Sequence, residues 1–226
     1  TIPYPWYGLG ISAMALPTDW LYVYGAIVDD DPSYRGDSNT FKAAFGGPAY
    51  FFTNVETGIL LDLPQPNGSG TLPGTYRFGM WHQNRPKDDI RGGDKRDDIG
   101  MYVSIDQMLF KEADAAEDSQ GLGVFARFGL ADGDVNPFNS SWSVGAQYQG
   151  PIPNRDQDII GFGVSQVEFG DYAEASKRHE TVYESYYRFR ITPWWHVTPS
   201  VQVVTNPGGE AVGNAVVAGI RTRITF

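Results

Sequence analysis

The sequence predicts an all-β protein whose strands form an antiparallel transmembrane barrel, and three observations support that fold class. Apolar and polar residues alternate over segments of about a dozen residues, whereas strands of soluble sandwiches usually run to about 5–6 residues. Tryptophan and tyrosine gather near the segment ends, as they do at a membrane interface. The last alternating segment closes on the aromatic residue Phe226, as is typical of membrane barrels.

The composition agrees with a protein made of strands and turns. The chain has 27 Gly, 13 Tyr, 13 Phe and 6 Trp but no Cys, which excludes disulfides and thiolate metal sites. A net charge of −10 argues against a nucleic-acid partner. No stretch approaches about 18 consecutive apolar residues, but a barrel strand needs only about 9–11 residues with every second one apolar.

Eleven segments carry the alternating pattern in order along the chain. They cover residues 7–15, 19–29, 49–61, 74–84, 99–110, 121–130, 141–150, 158–168, 181–192, 195–206 and 213–226. Polar connections rich in Asp, Gly, Pro and Asn separate them, and one helical turn is predicted at 40–45. Since no linker or fixed repeat interrupts the series, residues 1–226 are expected to form a single domain.

The alternation gives each segment one apolar face and one polar face. In the last segment, Ile220 and Ile224 fall on one side, and Arg221 and Arg223 on the other. Segments 74–84, 121–130, 141–150 and 181–192 divide in the same way. An arginine facing lipid near the membrane midplane would cost about 2–4 kcal/mol, so the arginines are expected to face a water-filled lumen. A soluble carbohydrate-binding β-sandwich, with the apolar face as its core, is the alternative interpretation.

Six stretches resemble, in order and spacing, the carbohydrate-selective outer-membrane porins of the OprB family. They are "LPGTYRFGMW" (72–81), "GMYVSIDQMLF" (100–110), "GLGVFARFGLADGDVNPFN" (121–139), "YQGPIPNRDQDIIGFGVS" (148–165), "YESYYRFRITPWWHVTPSVQVVTNPGG" (183–209) and "NAVVAGIRTRITF" (214–226). The resemblance runs from about Gly8 to Phe226 and matches the C-terminal half of the family domain. Because family barrels have on the order of sixteen strands, it favours these eleven strands as part of a longer barrel; strands supplied from elsewhere, or closure as a smaller barrel, are the alternatives.

The resemblance implies passive diffusion of monosaccharides such as glucose into the periplasm, without enzymatic chemistry or a cofactor. The residues expected to line the pore or contact sugar are Glu56, Arg77, Trp81, Asp106, Arg127, Glu184, Tyr186, Arg188, Arg190, Arg221 and Arg223. The arginines would donate hydrogen bonds to sugar hydroxyls, the carboxylates would accept them and hold the guanidinium groups, and the aromatic rings, with Phe125, could stack on sugars. The alternative is that these charges only hydrate and brace the lumen.

The resemblance also implies a membrane orientation and partners. A girdle at the membrane interface is expected from Trp20, Trp142, Trp194, Trp195 and Phe226. With Phe226 at the periplasmic end, 16–18 and 192–195 become periplasmic turns, while 29–47, 84–98 and 170–180 become external loops; the first of these loops is the candidate constriction. The expected partners are monosaccharides, outer-membrane lipid and lipopolysaccharide, and the assembly machinery through Phe226. Further copies of the chain are a candidate partner.

Other chemical signals in the sequence are weak. His82, His179 and His196 are scattered without the spacing of metal ligands. The stretch "DGDVN" (132–136) lacks the glycine and closing glutamate of a calcium loop. There is no "GxSxG" motif, so an outer-membrane enzyme is the weakest of the three interpretations.

Overall fold

A computed structural model describes residues 2, 9–30, 49–66, 70–112 and 120–225, and eleven long strands within these ranges form one antiparallel sheet. The strands are β1 (Gly10–Thr18), β2 (Leu21–Asp29), β3 (Phe51–Pro64), β4 (Thr71–Gln83), β5 (Lys87–Asp88), β6 (Asp94–Lys95), β7 (Asp98–Lys111), β8 (Gly121–Leu130), β9 (Phe138–Gln149), β10 (Ile159–Phe169), β11 (His179–Thr192), β12 (Trp195–Thr205) and β13 (Ala215–Ile224). Strands β5 and β6 form a separate two-stranded ribbon, and 3-10 turns lie at Asp171–Ala173 and Pro207–Gly209. Apart from the ribbon, the spatial order of the strands is their sequence order.

All eleven predicted strands are confirmed, with bounds that differ by a few residues. The first was predicted at 7–15 and runs from Gly10 to Thr18, and the segment predicted at 74–84 begins earlier, at Thr71. The helical turn at 40–45, most of the 29–47 loop and Phe226 lie outside the described residues. The β-sandwich alternative is wrong, because the long strands lie in one sheet whose apolar face is not packed against a second sheet in the described ranges.

The pairing of the strands separates an apolar face from a polar face across the whole sheet. Directly paired residues of neighbouring strands project to the same side. Phe78, Val103 and Phe128 lie in one such row, and each is about 40% exposed or more. Apolar side chains exposed to this degree also occur at Val144 and Phe162. A soluble protein rarely exposes so continuous an apolar surface, whereas lipid accommodates it.

The six arginines of the long strands all lie on the opposite, polar face. Arg77, Ser104 and Arg127 form one row across β4, β7 and β8. Arg190, His196 and Arg223 form another across β11, β12 and β13. The predicted segregation of arginine from the apolar face is therefore confirmed strand by strand.

The two ends of the sheet differ in their connections. The short-turn end holds the connections at Asp19–Trp20, 150–158 and Pro193–Trp194, and the strand ends next to residues 65–70 and 112–120. The long-loop end holds the connections at 84–97, 131–137, 170–178 and 206–214, and the strand ends next to residues 30–50. The two predicted turns lie at one end and the predicted loops at 84–98 and 170–180 at the other, although the first turn follows Thr18 instead of including 16–18. Most of the loop predicted at 29–47 is outside the described residues.

Loops at the long-loop end are hydrogen-bonded to one another. The Ile90 amide donates to the Asp134 carbonyl (3.2 Å), the Gly170 amide to the Pro137 carbonyl (3.0 Å) and Lys177 to Gly209 (2.8 Å). At the sides of the sheet, β1 and β13 each pair with one neighbour only among the described strands. No helix in the described ranges is long and apolar enough to cross a membrane.

Candidate functional site

The centre of the polar face is organised around Asp106. Arg77 Nη1 donates to Asp106 Oδ2 (2.6 Å) and Arg127 Nη2 donates to Asp106 Oδ1 (2.6 Å). The two arginines face Ser104 from either side, and Asp106 lies two residues further along β7 on the same face. Arg77 also donates to Ser104 Oγ (3.2 Å), and Arg127 to the Ile105 carbonyl (2.5 Å). One carboxylate therefore holds two cations, which leaves a net positive charge at fixed positions.

These three charged groups remain accessible. The side chains of Arg77, Asp106 and Arg127 are 31%, 42% and 38% exposed. Each guanidinium has five N–H donors, and the carboxylate has more lone pairs than the two that it uses. The cluster can therefore offer both donors and acceptors to a hydroxylated solute without breaking its internal bonds.

A second carboxylate, Glu56, is held by two tyrosines that the sequence did not single out. The Tyr22 hydroxyl donates to Glu56 Oε1 (2.5 Å) and the Tyr102 hydroxyl donates to Oε2 (2.7 Å). Tyr102 reaches it from two strands away, because Glu56, Gly79 and Tyr102 form one row across β3, β4 and β7. Both oxygens of Glu56 are thus fixed on the polar face by tyrosines, and not by arginines as predicted, since no described arginine forms an ion pair with it.

Aromatic rings of the polar face lie flat over glycines of the neighbouring strand. A β-carbon added at the glycine would lie 2.1 Å from the nearest ring atom for Tyr22 over Gly58 and for Tyr102 over Gly79. The further pairs of this kind are Trp81 over Gly100 (2.3 Å), Phe125 over Gly145 (2.5 Å) and Tyr186 over Gly161 (2.3 Å). Since each ring follows the wall instead of projecting from it, the glycines keep space above the polar face free. The sequence shows these glycines, but only the strand register shows which ring each one faces.

Trp81 lies on the predicted face but is not available to a solute. It is 1% exposed, and its indole stacks with the Phe52 ring at 6.1 Å between centroids. Its proposed role as a sugar platform does not fit this burial, because a side chain that is 1% exposed offers no ring face to a solute. Covered side chains surround it at the long-loop end of the polar face, including Gln83 and Asp98.

Four of the remaining predicted residues, all arginines, form a separate cationic group on β11 and β13. Arg188, Arg190, Arg221 and Arg223 have no carboxylate within 4 Å among the described residues. His196 lies between Arg190 and Arg223 and was not predicted as part of this group. Three strand positions separate β11 from β8, so the structure does not bring this group to Asp106.

The other two predicted residues of β11 lie nearer the middle of the face. The Tyr186 hydroxyl donates to Gln147 Oε1 (3.3 Å) across Gly161, which repeats the geometry of Tyr102, Gly79 and Glu56. Glu184 pairs with Gly163 on β10 and Gln202 on β12.

A hollow of about 330 Å³ lies beside Asp106. On the polar face it is lined by Thr75, Asp106, Gly123, Phe125 and Gln147. This volume is at the lower end of the range for small-molecule sites, about 300–1,000 Å³. A β-carbon at Gly123 would meet no atom within 4 Å, so the space above this glycine is open.

The predicted girdle residues, apart from Phe226, which is outside the described residues, lie towards the ends of the sheet. Trp20 and Trp194 occupy the short-turn end and are 52% and 51% exposed. Trp194 stacks with Trp195 (6.4 Å between centroids), whose indole nitrogen donates to Thr222 Oγ1 (2.8 Å). Trp142 lies on the apolar face nearer the long-loop end, in the row of Phe128.

Asp158, just before β10, fixes the 150–158 connection to β11. It is 1% exposed and accepts hydrogen bonds from Arg155 Nε (2.7 Å), the Tyr187 hydroxyl (3.0 Å) and the Arg190 amide (2.9 Å). Burial alone would raise the pKa of Asp158, but the bonds from these donors outweigh it and hold the pKa below its ordinary value. Within the described ranges, no three His, Asp or Glu side chains are grouped so that they could hold a metal ion.

Comparison with known proteins gives consistent matches. The family model described as "Carbohydrate-selective porin, OprB family" matches residues 1–226. Porin B of Pseudomonas aeruginosa is 28% identical over 264 aligned positions, which cover 98% of this chain and 56% of Porin B. The "Putative porin QuiX" of Acinetobacter baylyi is 24% identical, over 69% of this chain and 41% of its own length.

Two solved structures of Pseudomonas putida OprB also match the fold. The high-pH structure aligns with a TM-score of 0.82 at 25% identity and covers 96% of this chain and 58% of that one. The low-pH structure aligns with a TM-score of 0.62 at 22% identity, over 96% and 55% of the two chains. The chain therefore spans a little over half the length of Porin B and of these structures.

Proposed function

Since the chain belongs to the OprB family of carbohydrate-selective porins, we propose that it is part of an outer-membrane β-barrel through which monosaccharides such as glucose diffuse passively into the periplasm. No covalent step and no cofactor is needed, because the solute only follows its gradient. The chain spans 56% of Porin B, so strands outside residues 1–226 would complete the barrel and pair with β1 and β13.

The observation that carries this proposal is the separation of the two faces of one sheet. The apolar face exposes large side chains such as Phe162 (54%) and Ile220 (80%), and all six strand arginines lie on the other face. In a barrel, the first face would contact lipid and the second would line a water-filled lumen. A soluble sheet would gain nothing from leaving such an apolar surface exposed.

The polar face offers neutral sugars weak, directional contacts. Guanidinium groups such as those of Arg77 and Arg127 would donate to hydroxyls, and Asp106 and Glu56 would accept from them. The hollow beside Asp106, with Phe125 at its wall, is a suitable resting place for one sugar ring. Binding must stay weak, because a channel that holds its solute tightly cannot release it.

The orientation follows the usual asymmetry of outer-membrane barrels. Short turns face the periplasm in such barrels, and long loops face outward. The short-turn end, with Asp19–Trp20 and Pro193–Trp194, would therefore be periplasmic, and its exposed tryptophans would lie at the lipid interface. Phe226 would take part in recognition by the assembly machinery. Lipopolysaccharide would surround the long-loop end, and association with further copies is open to test by native mass measurement.

The test is sugar uptake by the full-length protein in proteoliposomes. Swelling in isotonic glucose should exceed that of liposomes with the same amount of heat-denatured protein, and a trisaccharide should enter much more slowly. The same preparation should migrate differently on a gel before and after boiling, as closed barrels do. A heat-modifiable band without glucose-dependent swelling would refute the transport proposal while leaving the barrel intact.

A further inference from the structure

The polar face is open in its middle and covered at the long-loop end. Trp81, Gln83 and Asp98 lie on this face by strand register, yet they are only 1%, 0% and 1% exposed. Further along the same strands, the side chains of Arg77 and Asp106 are 31% and 42% exposed. Part of the protein must therefore lie over the polar face near the long-loop end.

The β4–β7 connection, residues 84–97, contacts this covered surface. Its residue Lys87 forms an ion pair with Asp98 and donates to Asn136 Oδ1 (3.1 Å). Arg85 Nε lies 3.2 Å from Oδ2 of Asp30, a carboxyl that is fully buried. Because Asp98 pairs with Gln83 and projects to the polar face, the start of the connection lies on the lumen side of the sheet.

The rest of the connection is held by the neighbouring loop. It turns back as the β5–β6 ribbon, whose Lys95 forms an ion pair with Asp132, and Arg91 at the turn forms one with Asp134. The Ile90 amide also donates to the Asp134 carbonyl (3.2 Å). Four of the five cations in residues 84–97 are thus paired with aspartates that lie outside this segment.

On the basis of the proposed porin function, we infer that residues 84–97 form an ion-paired cover that narrows the channel mouth from the lumen side, and that these pairs set the largest sugar admitted. The constriction loop expected from the sequence was 29–47. Most of that loop lies outside the described residues, so its role stays a prediction. The cover is a second loop, and its position rests on contacts to polar-face residues.

The pairs differ in strength along the cover. The Lys87 and Asp98 side chains are 13% and 2% exposed, so salt screens this pair least. Arg91 is 74% exposed and its pair contributes little. The side chains of Lys95 and Asp132 are 34% and 26% exposed, which is intermediate. The two residues can therefore be swapped, lysine for aspartate, without burying a new charge. The base is therefore anchored, and the ribbon is the part that charge changes can release.

The experiment compares three forms of the full-length protein: wild type, Asp132→Lys, and the exchanged pair Lys95→Asp with Asp132→Lys. Asp132→Lys places two like charges in contact. Their repulsion should shift the equilibrium between the docked and the displaced ribbon towards the displaced form by at least about an order of magnitude. We therefore expect the ratio of trisaccharide to glucose swelling rates to rise roughly tenfold. The exchanged pair should return the ratio most of the way to the wild-type value, because the ion pair is restored but the carboxylate at position 95 also comes near Asp134, which lies 3.9 Å from Lys95 Nζ in the wild type. Both variants lose the hydrogen bond from the Asp134 amide to Asp132 Oδ1 (3.0 Å). A difference between them therefore reports the charge at positions 95 and 132 and not the geometry of the turn.

A second measurement does not depend on transport. Residues 1–226 contain no cysteine. With any cysteine outside them replaced by serine, spin labels can be placed at Asp94→Cys on the ribbon and Ser143→Cys on β9. The interlabel distance should lengthen in Asp132→Lys and recover in the exchanged pair. The inference of an ion-paired cover would be overturned if Asp132→Lys left both the interlabel distance and the ratio of swelling rates unchanged. It would also be overturned if the exchanged pair restored neither. Absence of glucose uptake by the wild type would instead count against the porin function, and the distances would still decide the cover.

Discussion

The ring of Tyr102 crosses Gly79 so closely that this glycine has no room for a side chain. An alanine β-carbon there would lie 2.1 Å from Cζ and 2.4 Å from both Cε1 and the hydroxyl oxygen of Tyr102. Such contacts are impossible in a packed protein, so the ring would have to move by roughly 1 Å or more. The hydroxyl would then lose its 2.7 Å hydrogen bond to Glu56.

The expected cost of Gly79→Ala follows from these losses. Overpacking costs about 1–3 kcal/mol, and a hydrogen bond to a charged group contributes about 1.5–3 kcal/mol. The lower entropy of the unfolded chain returns about 0.4–1 kcal/mol. We therefore expect a loss of roughly 2–5 kcal/mol in the free energy of unfolding. The displaced ring would also project over the polar face and slow sugar uptake.

The assay is equilibrium unfolding of the full-length protein in urea, with Gly123→Ala as the matched control. Gly123 lies on the same face, but its added β-carbon would meet nothing within 4 Å, so its effect should stay within about 0.5 kcal/mol. In a Tyr102→Ala background, Gly79→Ala should become nearly neutral, because the obstructing ring is gone. Equal effects of the two alanine substitutions, or no coupling to Tyr102, would refute this steric reasoning.

Three further predictions test the charges and the faces. Asp106→Asn should destabilise the protein by about 1.5–3 kcal/mol and shift the reversal potential of reconstituted channels towards chloride, since two guanidinium groups lose their shared carboxylate; an unchanged potential would mean that they do not line the path. Val144→Arg on the apolar face should cost about 2–4 kcal/mol and Ser165→Arg on the polar face, where its partners are Ser143 and Val182, within about 0.5 kcal/mol; equal costs in urea unfolding would contradict the facing. The lowered pKa of Asp158 stabilises the fold fully above its ordinary value of 3.8, and this contribution is lost as pH falls through the lower folded-state pKa. The stability difference between wild type and Asp158→Asn should therefore shrink below about pH 3.8, and a constant difference would show that Asp158 does not titrate in this way.

The period-two pattern was sufficient to predict the strands and their faces, because it depends only on neighbouring residues. It placed Arg221 and Arg223 opposite Ile220 and Ile224 before any strand partner was known. Strand ends were less certain, because polar residues near the loops can continue the backbone hydrogen bonds between strands. For example, β9 begins at Phe138 instead of residue 141.

The candidate site was predicted only in part, because its contacts depend on register across strands. Asp106 was expected to hold arginines, and it does, but nothing local to Tyr102 indicates that it reaches Glu56 across Gly79. The burial of Trp81 was missed for the same reason. It follows from loop packing at the long-loop end, and a strand pattern contains no information about which loop turns inward.

The pairing of cations changes along the part of the polar surface that the structure describes. At the long-loop end, Arg85, Lys87, Arg91 and Lys95 each have an aspartate, and in the middle Arg77 and Arg127 share Asp106. The four arginines of β11 and β13 have none within 4 Å among the described residues. A guanidinium bound to a carboxylate mainly braces the wall, whereas one without a carboxylate keeps its donors for water or solute. We therefore expect the two interpretations of the arginines, bracing and solute contact, to apply to different parts of the same surface, with bracing strongest at the long-loop end and capacity for solute contact greatest on β11 and β13.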